Sequence, residues 1–300
     1  MRLFWLFIAI CGVVWVLVML ALLYGIFPRS AAQSADPLRL DAAQERRSAL
    51  AVGGLTVATA IVLVFFTIIS FLGSRGLNAS SDAKVEIEVT GHQWWWSVRY
   101  VDPDPSKTFT TANEIRVPVG QPVKAKLVAD DVIHSFWVPN LSGKKDLIPG
   151  QHNELIFTAA RSGVYRGQCA EFCGDQHARM GLRVVAESPE DFALWRARQL
   201  EPARSMDDPA AQNGEQIFLK NGCGLCHTIR GTAAGGRLGP DLTHVGSRQA
   251  IAADALPNSV GNIAGWIADP QAVKPGNHMP RVPLGSGELN ALAHYLAGLQ

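Results

Sequence analysis

The stretch GQCAEFCGDQHARM at residues 167–180 brings four metal-binding side chains into one short segment. Cys169 and Cys173 stand four residues apart, His177 follows four residues later, and Met180 lies three residues beyond it. Thiolate and thioether ligands together favour copper, whereas a structural zinc site would need a fourth cysteine or histidine in place of methionine. The segment therefore predicts a copper site.

A further ligand must come from upstream, and His134 in DVIHSFWVPN supplies it at the end of an apolar strand. A single blue copper uses one cysteine, so two cysteines in one loop suit two coppers bridged by both sulfurs. Such a site favours fast electron transfer. A copper carrier or redox sensor is the alternative, and it would need an exchangeable, solvent-open site with one copper.

The sequence around this loop alternates between apolar and polar residues in short runs. Examples are KVEIEVTGHQWWWSVRYV at 84–101, PVKAKLVA at 122–129 and HNELIFTA at 152–159, separated by turns rich in Pro, Gly, Asn and Asp. This pattern is typical of an antiparallel β-sandwich or barrel.

A second cysteine pair lies in CGLCH at residues 223–227. In a C-x-x-C-H sequence the thiols of Cys223 and Cys226 can form thioethers to haem, and His227 can ligate its iron. A redox C-x-x-C motif and half a zinc site are the alternatives. Helical patterns on both sides favour haem c, because a thioredoxin-type motif belongs in a βαβ unit.

The second axial ligand of that haem is predicted to be Met279 in GNHMPRV. A thioether raises the potential of the haem relative to a second histidine. Three histidines compete for the same role, and each is expected to be a surface or packing residue: His244, His278 and His294.

Two uncharged apolar runs, at residues 3–27 and 49–73, each exceed the ~20 residues that cross a bilayer. The first is too long for the apolar part of a secretory signal, which is the alternative. Arginines concentrate between the two runs, so that connection is predicted to be cytoplasmic and everything after residue 73 external. These arginines are Arg29, Arg39, Arg46 and Arg47.

Length and charge set further bounds. A chain of 300 residues has room for about two domains, and a net charge of +1 predicts no nucleic-acid partner. Four of the five cysteines could form disulfides outside the cell, but their spacing suits metal and haem better. Cys11 lies in the first apolar run and is expected to be buried in the membrane.

The chain therefore divides into four predicted segments. A transmembrane hairpin occupies 1–80, a β-sandwich 81–187, a polar linker with one short helix near 192–198 occupies 188–208, and a helical domain 209–300. In SGELNALAHYLAGL, Ser286 is predicted to cap a helix whose apolar face carries Leu289, Leu292 and Leu296.

Three sequence blocks resemble the signatures of cytochrome c oxidase subunit II, which carries the dinuclear copper A centre. They are GHQWWWSVRY, DVIHSFWVPNLSGKKDLIPG and GQCAEFCGDQHARMG, and the resemblance covers residues 85–185. The C-terminal segment resembles a class I cytochrome c, with GPDLTHVGSR and MP at matching places. Oxidases with a cytochrome c fused to subunit II have this arrangement. The resemblance implies a cupredoxin-like sandwich and an all-α cytochrome domain.

The family's copper A ligands fall on His134, Cys169, Cys173, His177 and Met180, and its ligating backbone carbonyl falls on Glu171. The Glu171 side chain would also reach a magnesium ion at the interface with subunit I. Trp94 matches the residue through which electrons reach copper A, with sandwich packing as the alternative, and it is expected to be exposed.

Lys144 and Asp146 match interface positions. In the family, a tryptophan follows the glutamate at the mouth of a proton pathway. The sequence after Glu45 has no such tryptophan, so the proton role is not carried over to Glu45.

The resemblance implies a respiratory oxidoreductase subunit in a bacterial inner membrane, with both redox domains on the periplasmic side. Electrons would pass from cytochrome c or a cytochrome bc complex to haem c, then to copper A, then to the oxygen site of subunit I. Subunit III is a further expected partner. A copper A nitric oxide reductase subunit is the closest alternative. Nitrous oxide reductase is disfavoured, because it lacks a membrane hairpin and needs another large domain.

Overall fold

The computed structural model describes residues 2–26, 42–77, 83–204 and 208–300, in two compact units that divide between residues 79 and 80. The first unit contains α1 (Arg2–Ile26) and α2 (Ala42–Leu77). Both helices are long and apolar enough to cross a bilayer, with mean hydropathies of 3.0 and 2.6. The two predicted apolar helices are thereby confirmed.

Polar groups within α2 are satisfied by the helix itself. The hydroxyls of Thr56, Thr59 and Thr67 each donate to the carbonyl four residues earlier, as an apolar environment requires. Arg46 and Arg47 lie in α2, whereas the predicted cytoplasmic Arg29 and Arg39 lie outside the described residues. The orientation of the hairpin therefore stays a prediction.

The second unit begins with a β-sandwich of ten strands. In chain order they are β1 (Val85–His92), β2 (Trp95–Val101), β3 (Phe109–Ala112), β4 (Glu114–Pro118), β5 (Val123–Ala129), β6 (His134–Trp137), β7 (Lys145–Leu147), β8 (Asn153–Phe157), β9 (Gly163–Cys169) and β10 (Gly181–Glu187). One sheet has the order β3-β2-β1-β5-β8 and the other β4-β10-β9-β6-β7. The predicted sandwich is confirmed.

The pairing is antiparallel except at two places, where β1 pairs with β5 and β4 with β10 in parallel. These parallel pairs arise because the chain crosses between the sheets from β3 to β4 and back to β5. Alternate residues of β1 are buried, as the apolar pattern predicts. The core between the sheets contains Ile87, Val89, Trp96, Val98, Ile115, Leu127, Leu182 and Val184, all fully buried.

The predicted linker contains a longer helix than the sequence indicates. Helix α3 (Pro189–Leu200) begins at Ser188, whose hydroxyl accepts a hydrogen bond from the Asp191 amide at 3.0 Å. Its Trp195 ring lies 5.2 Å from that of Tyr100, and Phe192 is buried beside it. This helix belongs to the sandwich core, because its two aromatic residues cover one end of it.

The C-terminal domain is helical, as predicted. It contains α4 (Pro209–Lys220), α5 (Val260–Ala268), α6 (Pro270–Val273), α7 (Ser286–Gly298) and a short hairpin of β11 (Ala250–Ile251) and β12 (Leu256–Pro257). Leu292 and Leu296 are buried, with Leu289 against them. The predicted cap at Ser286 is wrong: Gly285 is the N-cap, because its amide donates to Glu288 at 3.0 Å and Ser286 is already helical.

The helical domain is docked on the sandwich through the turn between β11 and β12. Ala252, Ala253 and Asp254 have φ angles of 54°, 58° and 64°, a conformation that costs roughly 1–2 kcal/mol per residue. The turn keeps this shape because Asp254, with a side chain only 5% exposed, forms ion pairs with Arg166 and Arg183 of the sandwich. The Gly181 amide also donates to Ala253 O at 3.0 Å.

We expect Gly214→Ala to loosen the helical domain. A Cβ at Gly214 would lie 2.4 Å from Ala291 O and 2.5 Å from Tyr295 Cβ, so α4 and α7 would be forced apart. Overpacking of this kind costs about 1–3 kcal/mol, and faster hydrogen–deuterium exchange of the α4 and α7 amides in the full chain would report it. Gly265→Ala in α5 is the control, because its Cβ would meet nothing within 4 Å. Equal exchange in both variants would contradict the prediction.

Candidate copper and haem sites

Two neighbouring strands bring the predicted copper ligands together. His134 begins β6 and Cys169 ends β9, and these strands pair with Phe136 opposite Cys169. The imidazole of His134 fills space that Gly91 leaves free, since a Cβ there would lie 2.7 Å from His134 Cδ2. A larger residue at position 91 would therefore displace the histidine.

The six predicted donors converge at the end of the sandwich. The Cys169 and Cys173 sulfurs lie 3.8 Å apart, and each has an imidazole nitrogen nearby, His134 Nδ1 at 3.9 Å and His177 Nδ1 at 3.7 Å. Met180 Sδ lies 3.8 Å from Cys173 Sγ, and Glu171 O lies 3.2 Å from Cys169 Sγ. The donor set of two thiols, two imidazoles, a thioether and a carbonyl fits copper.

The two thiols titrate as a pair. They are free cysteines, and their separation far exceeds the about 2.05 Å of a disulfide. Their contact lowers the pKa of Cys169 and raises that of Cys173, because a single proton is shared between the sulfurs. Bound metal would replace that proton, since thiolates are the ligating form.

Asp131 orients His134 from behind and was missed in the sequence. Its Oδ1 lies 2.8 Å from His134 Nε2, which leaves Nδ1 facing the sulfurs. Burial by itself would raise the pKa of Asp131, but hydrogen bonds from His134 and from the Val132 and Gln93 amides outweigh it and lower the pKa. A carboxylate behind a ligating histidine fixes its tautomer and strengthens it as a ligand.

The outer residues of the site lie at its rim. His177 is partly buried, and Phe172 at the tip of the loop is 76% exposed. The Glu171 carboxylate is partly exposed to solvent and lies 3.6 Å from Lys144 Nζ. Asp146 lies in β7, and its carbonyl accepts a hydrogen bond from Asn153.

The second site is a cavity of about 460 Å³, lined mainly by the helical domain and at one side by the sandwich. Its wall includes the four residues predicted to hold haem: Cys223, Cys226, His227 and Met279. His227 Nδ1 donates to Pro240 O at 2.8 Å, which leaves Nε2 free. Burial lowers the pKa of His227, so the imidazole stays neutral and able to ligate a metal.

Two further features of this cavity fit a haem. Gly239 lies against His227, and a Cβ there would be 2.6 Å from His227 Cε1, so the imidazole needs a glycine beside it. Arg248 also lines the cavity, and its buried Nε has no hydrogen-bond partner among the described residues. A haem carries carboxylates that such a donor can bind.

The loop that carries Met279 is held by its own hydrogen bonds. Asn277 Oδ1 accepts from the Met279 amide at 2.9 Å, and Gln271 Nε2 donates to Met279 O at 3.0 Å. Of the three competing histidines, His244 donates to Glu201 O at 3.1 Å and His294 is exposed. His278 also lines the cavity, with its ring 6.0 Å from that of Trp94.

The expectation that Trp94 is exposed is wrong. Its side chain is 6% exposed, because residues 274–278 of the docked helical domain cover it. Trp94 lines the haem-domain cavity on one side, and on the other its Nε1 donates to Cys173 O at 2.9 Å. The indole therefore lies between the two predicted redox sites.

Comparison with known proteins gives a family for each of the two domains. The family model of the cytochrome C oxidase subunit II periplasmic domain matches residues 85–188, and that of cytochrome c matches 211–300. Cytochrome c oxidase subunit 2 of Bacillus subtilis is 32% identical over 261 residues, which cover 82% of this chain and 71% of that protein. The chain belongs to the cytochrome c oxidase subunit 2 family.

A second member, from Alkalihalophilus pseudofirmus, is 39% identical over 220 residues, covering 73% of this chain but only 62% of that protein. Among solved structures, the periplasmic domain of subunit II of cytochrome oxidase of Bradyrhizobium japonicum is 34% identical over 39% of this chain and 94% of that chain, with a TM-score of 0.37. Membership of the subunit 2 family confirms the predicted resemblance. The subunit II domain implies copper A, and the cytochrome c domain implies a haem. Subunit 2 is a component of an oxidoreductase complex.

In this subunit 2 chain we expect Asp131→Ala to weaken copper binding about 10- to 100-fold, because His134 would lose the carboxylate that fixes its tautomer. Competition titration with a copper chelator on the purified full chain measures the change. Asp130→Ala is the matched control, since Asp130 is paired with His92 at 3.3 Å. Equal copper affinity in the two variants would rule out this role for Asp131.

Proposed function

We propose that this chain conducts electrons within a respiratory cytochrome c oxidase, from a covalently bound haem c through copper A to the oxygen-reducing centre of subunit I. The observation that carries the proposal is Trp94, which lines the haem-domain cavity and donates from Nε1 to Cys173 O at 2.9 Å. A haem and a dinuclear copper centre would supply two one-electron redox sites. The residues of the chain hold these sites and keep water away from the contact between them.

In the proposed function the cytochrome residues have separate tasks. Cys223 and Cys226 would form the thioethers to a haem, while His227 and Met279 would ligate its iron. Arg248 would bind a haem carboxylate through its unpartnered Nε. His227 is ready for this task, because Pro240 O holds its other ring nitrogen.

The copper residues act similarly in the sandwich. Side-chain ligands would be His134, Cys169, Cys173, His177 and Met180, with Glu171 contributing its carbonyl. Burial favours this conductor over a copper carrier, because His134 and Met180 are fully buried and both cysteines are at most 3% exposed. A carrier needs a site from which copper exchanges.

The membrane location and the partner subunits are proposed from the family. The two apolar helices would anchor the chain in a bacterial inner membrane beside subunits I and III, with the sandwich and cytochrome domains in the periplasm. The donor would be cytochrome c or a cytochrome bc complex. Glu171 would contribute to magnesium binding at the subunit I interface. Its carboxylate lies beside Lys144 and would bind the metal in place of that lysine.

Purification of the chain with its membrane partners tests the proposal. Oxygen uptake with a reduced donor, and two coppers per haem c, are the expected results. Nitric oxide reduction without oxygen uptake would instead assign the chain to a nitric oxide reductase. One labile copper per chain, with no transfer between haem and copper, would favour a carrier.

We expect Met279→His to keep a low-spin haem but lower its potential, because imidazole stabilises ferric iron more than a thioether does. The ferric wild-type protein should show the weak far-red band of iron–thioether ligation, and the variant should lack it. His294→Gln is the control, since His294 is exposed. If the band survives the substitution, Met279 is not the ligand. His278, in the same cavity, is then the first candidate. The second candidate ligand, Met206, lies outside the described residues.

A further inference from the structure

Lys274 is a buried lysine at the boundary between the sandwich and the cytochrome domain. Its side chain is 3% exposed, and its Nζ donates to Trp94 O at 2.7 Å and more weakly to Ala252 O at 3.4 Å. Within residues 83–204 and 208–300, no carboxylate lies within ion-pair distance of this Nζ. Backbone carbonyls alone therefore accept its hydrogen bonds.

A lysine is a costly choice for this position. Burial lowers its pKa to about 7, because the ammonium loses its hydration without gaining a carboxylate. A methionine of similar length would fill the same space without burying a charge. The useful property of Lys274 is then the hydrogen bond that it donates across the domain boundary.

That hydrogen bond completes a continuous connection between the two redox sites. On the cytochrome side, Asn277 accepts from the Met279 amide at 2.9 Å and donates to Lys274 O at 2.7 Å. On the sandwich side, Trp94 Nε1 donates to Cys173 O. Lys274 Nζ joins the two halves at Trp94 O. Residues of both predicted metal sites are thus linked through Asn277, Lys274 and Trp94.

Trp94 is consequently held from both domains. The copper loop fixes its indole through Cys173 O, which also accepts from Gln93 Nε2 at 2.8 Å. The cytochrome domain fixes its main chain through Lys274. Without the lysine, the indole would keep one anchor, and the loop carrying Met279 would lose its only hydrogen bond to Trp94 among those of the described residues.

We propose that Lys274 is a positioning residue that locks Trp94 between the cytochrome domain and the copper loop, and so sets the rate of electron transfer between them. The inference rests on the proposed function. It assigns Lys274 no ligand role, since its nitrogen contacts only main-chain carbonyls.

The test uses the full chain loaded with haem and copper. After flash photoreduction of the haem, electron transfer to copper should be about tenfold slower in Lys274→Met than in wild type, as expected for a small misplacement of a bridging group. The copper electron paramagnetic resonance spectrum and the haem potential should not change. Lys274→Arg should recover most of the rate, because a guanidinium keeps a donor near Trp94 O. Lys220→Met is the control, since Lys220 is an exposed lysine of the same domain.

Hydrogen–deuterium exchange gives a second measurement that does not depend on electron transfer. Amides of residues 93–97 should exchange faster in Lys274→Met than in wild type or Lys220→Met. If the rate of electron transfer and the rate of amide exchange in Lys274→Met both match wild type, the inference about Lys274 is overturned and the proposed function stands. A changed copper spectrum or haem potential in that variant would also overturn it, because Lys274 would then support a metal site. Absence of haem-to-copper transfer in the wild-type chain would overturn the proposed function as well.

Discussion

Two cysteine sulfurs held 3.8 Å apart in a buried pocket impose the main constraint on the sandwich. They are close enough to share metal ions, and at this separation they are free thiols and not a disulfide. The strands provide this spacing, because β9 delivers Cys169 beside β6 while a tight loop returns Cys173 to the same place. Gly91 leaves space for His134, and Asp131 fixes that imidazole from behind. The packing around the loop thus holds the donor side chains in place.

The second constraint is the contact between the domains. An unfavourable left-handed turn is retained at residues 252–254 because Asp254 reaches two arginines of the sandwich. Near the copper loop, Gln176 Nε2 donates to Pro275 O at 2.6 Å, and Arg179 donates to Val273 O. Contacts at two places, the turn at residues 252–254 and the copper loop, therefore dock the cytochrome domain on the sandwich.

The sequence identifies candidate ligands that the fold brings together, because metal-binding residues have narrow chemistry and short spacing, as in residues 169–180 and 223–227. It predicts the sandwich from its alternation and the helices from their apolar faces. It does not predict Asp131 over the adjacent Asp130, since only the fold decides which carboxylate faces His134. The burial of Trp94 and Lys274 depends on contacts 180 residues apart in the chain, which no local pattern encodes. The extent of α3 was underestimated because its two buried aromatic residues pack on distant strands.

Burial of Trp94 changes where an external donor can act under the proposed function. A tryptophan only 6% exposed offers no surface to a soluble protein, and its ring is covered by the loop that precedes Met279. Electrons must then arrive through the cytochrome domain. The groups that hold Trp94 come from both domains, through Lys274 Nζ at its carbonyl and Cys173 O at its indole, so these dipoles would need little reorganisation when charge passes. Under the proposed function, an electron would therefore cross from the cytochrome domain to the copper loop by a short connection through Trp94.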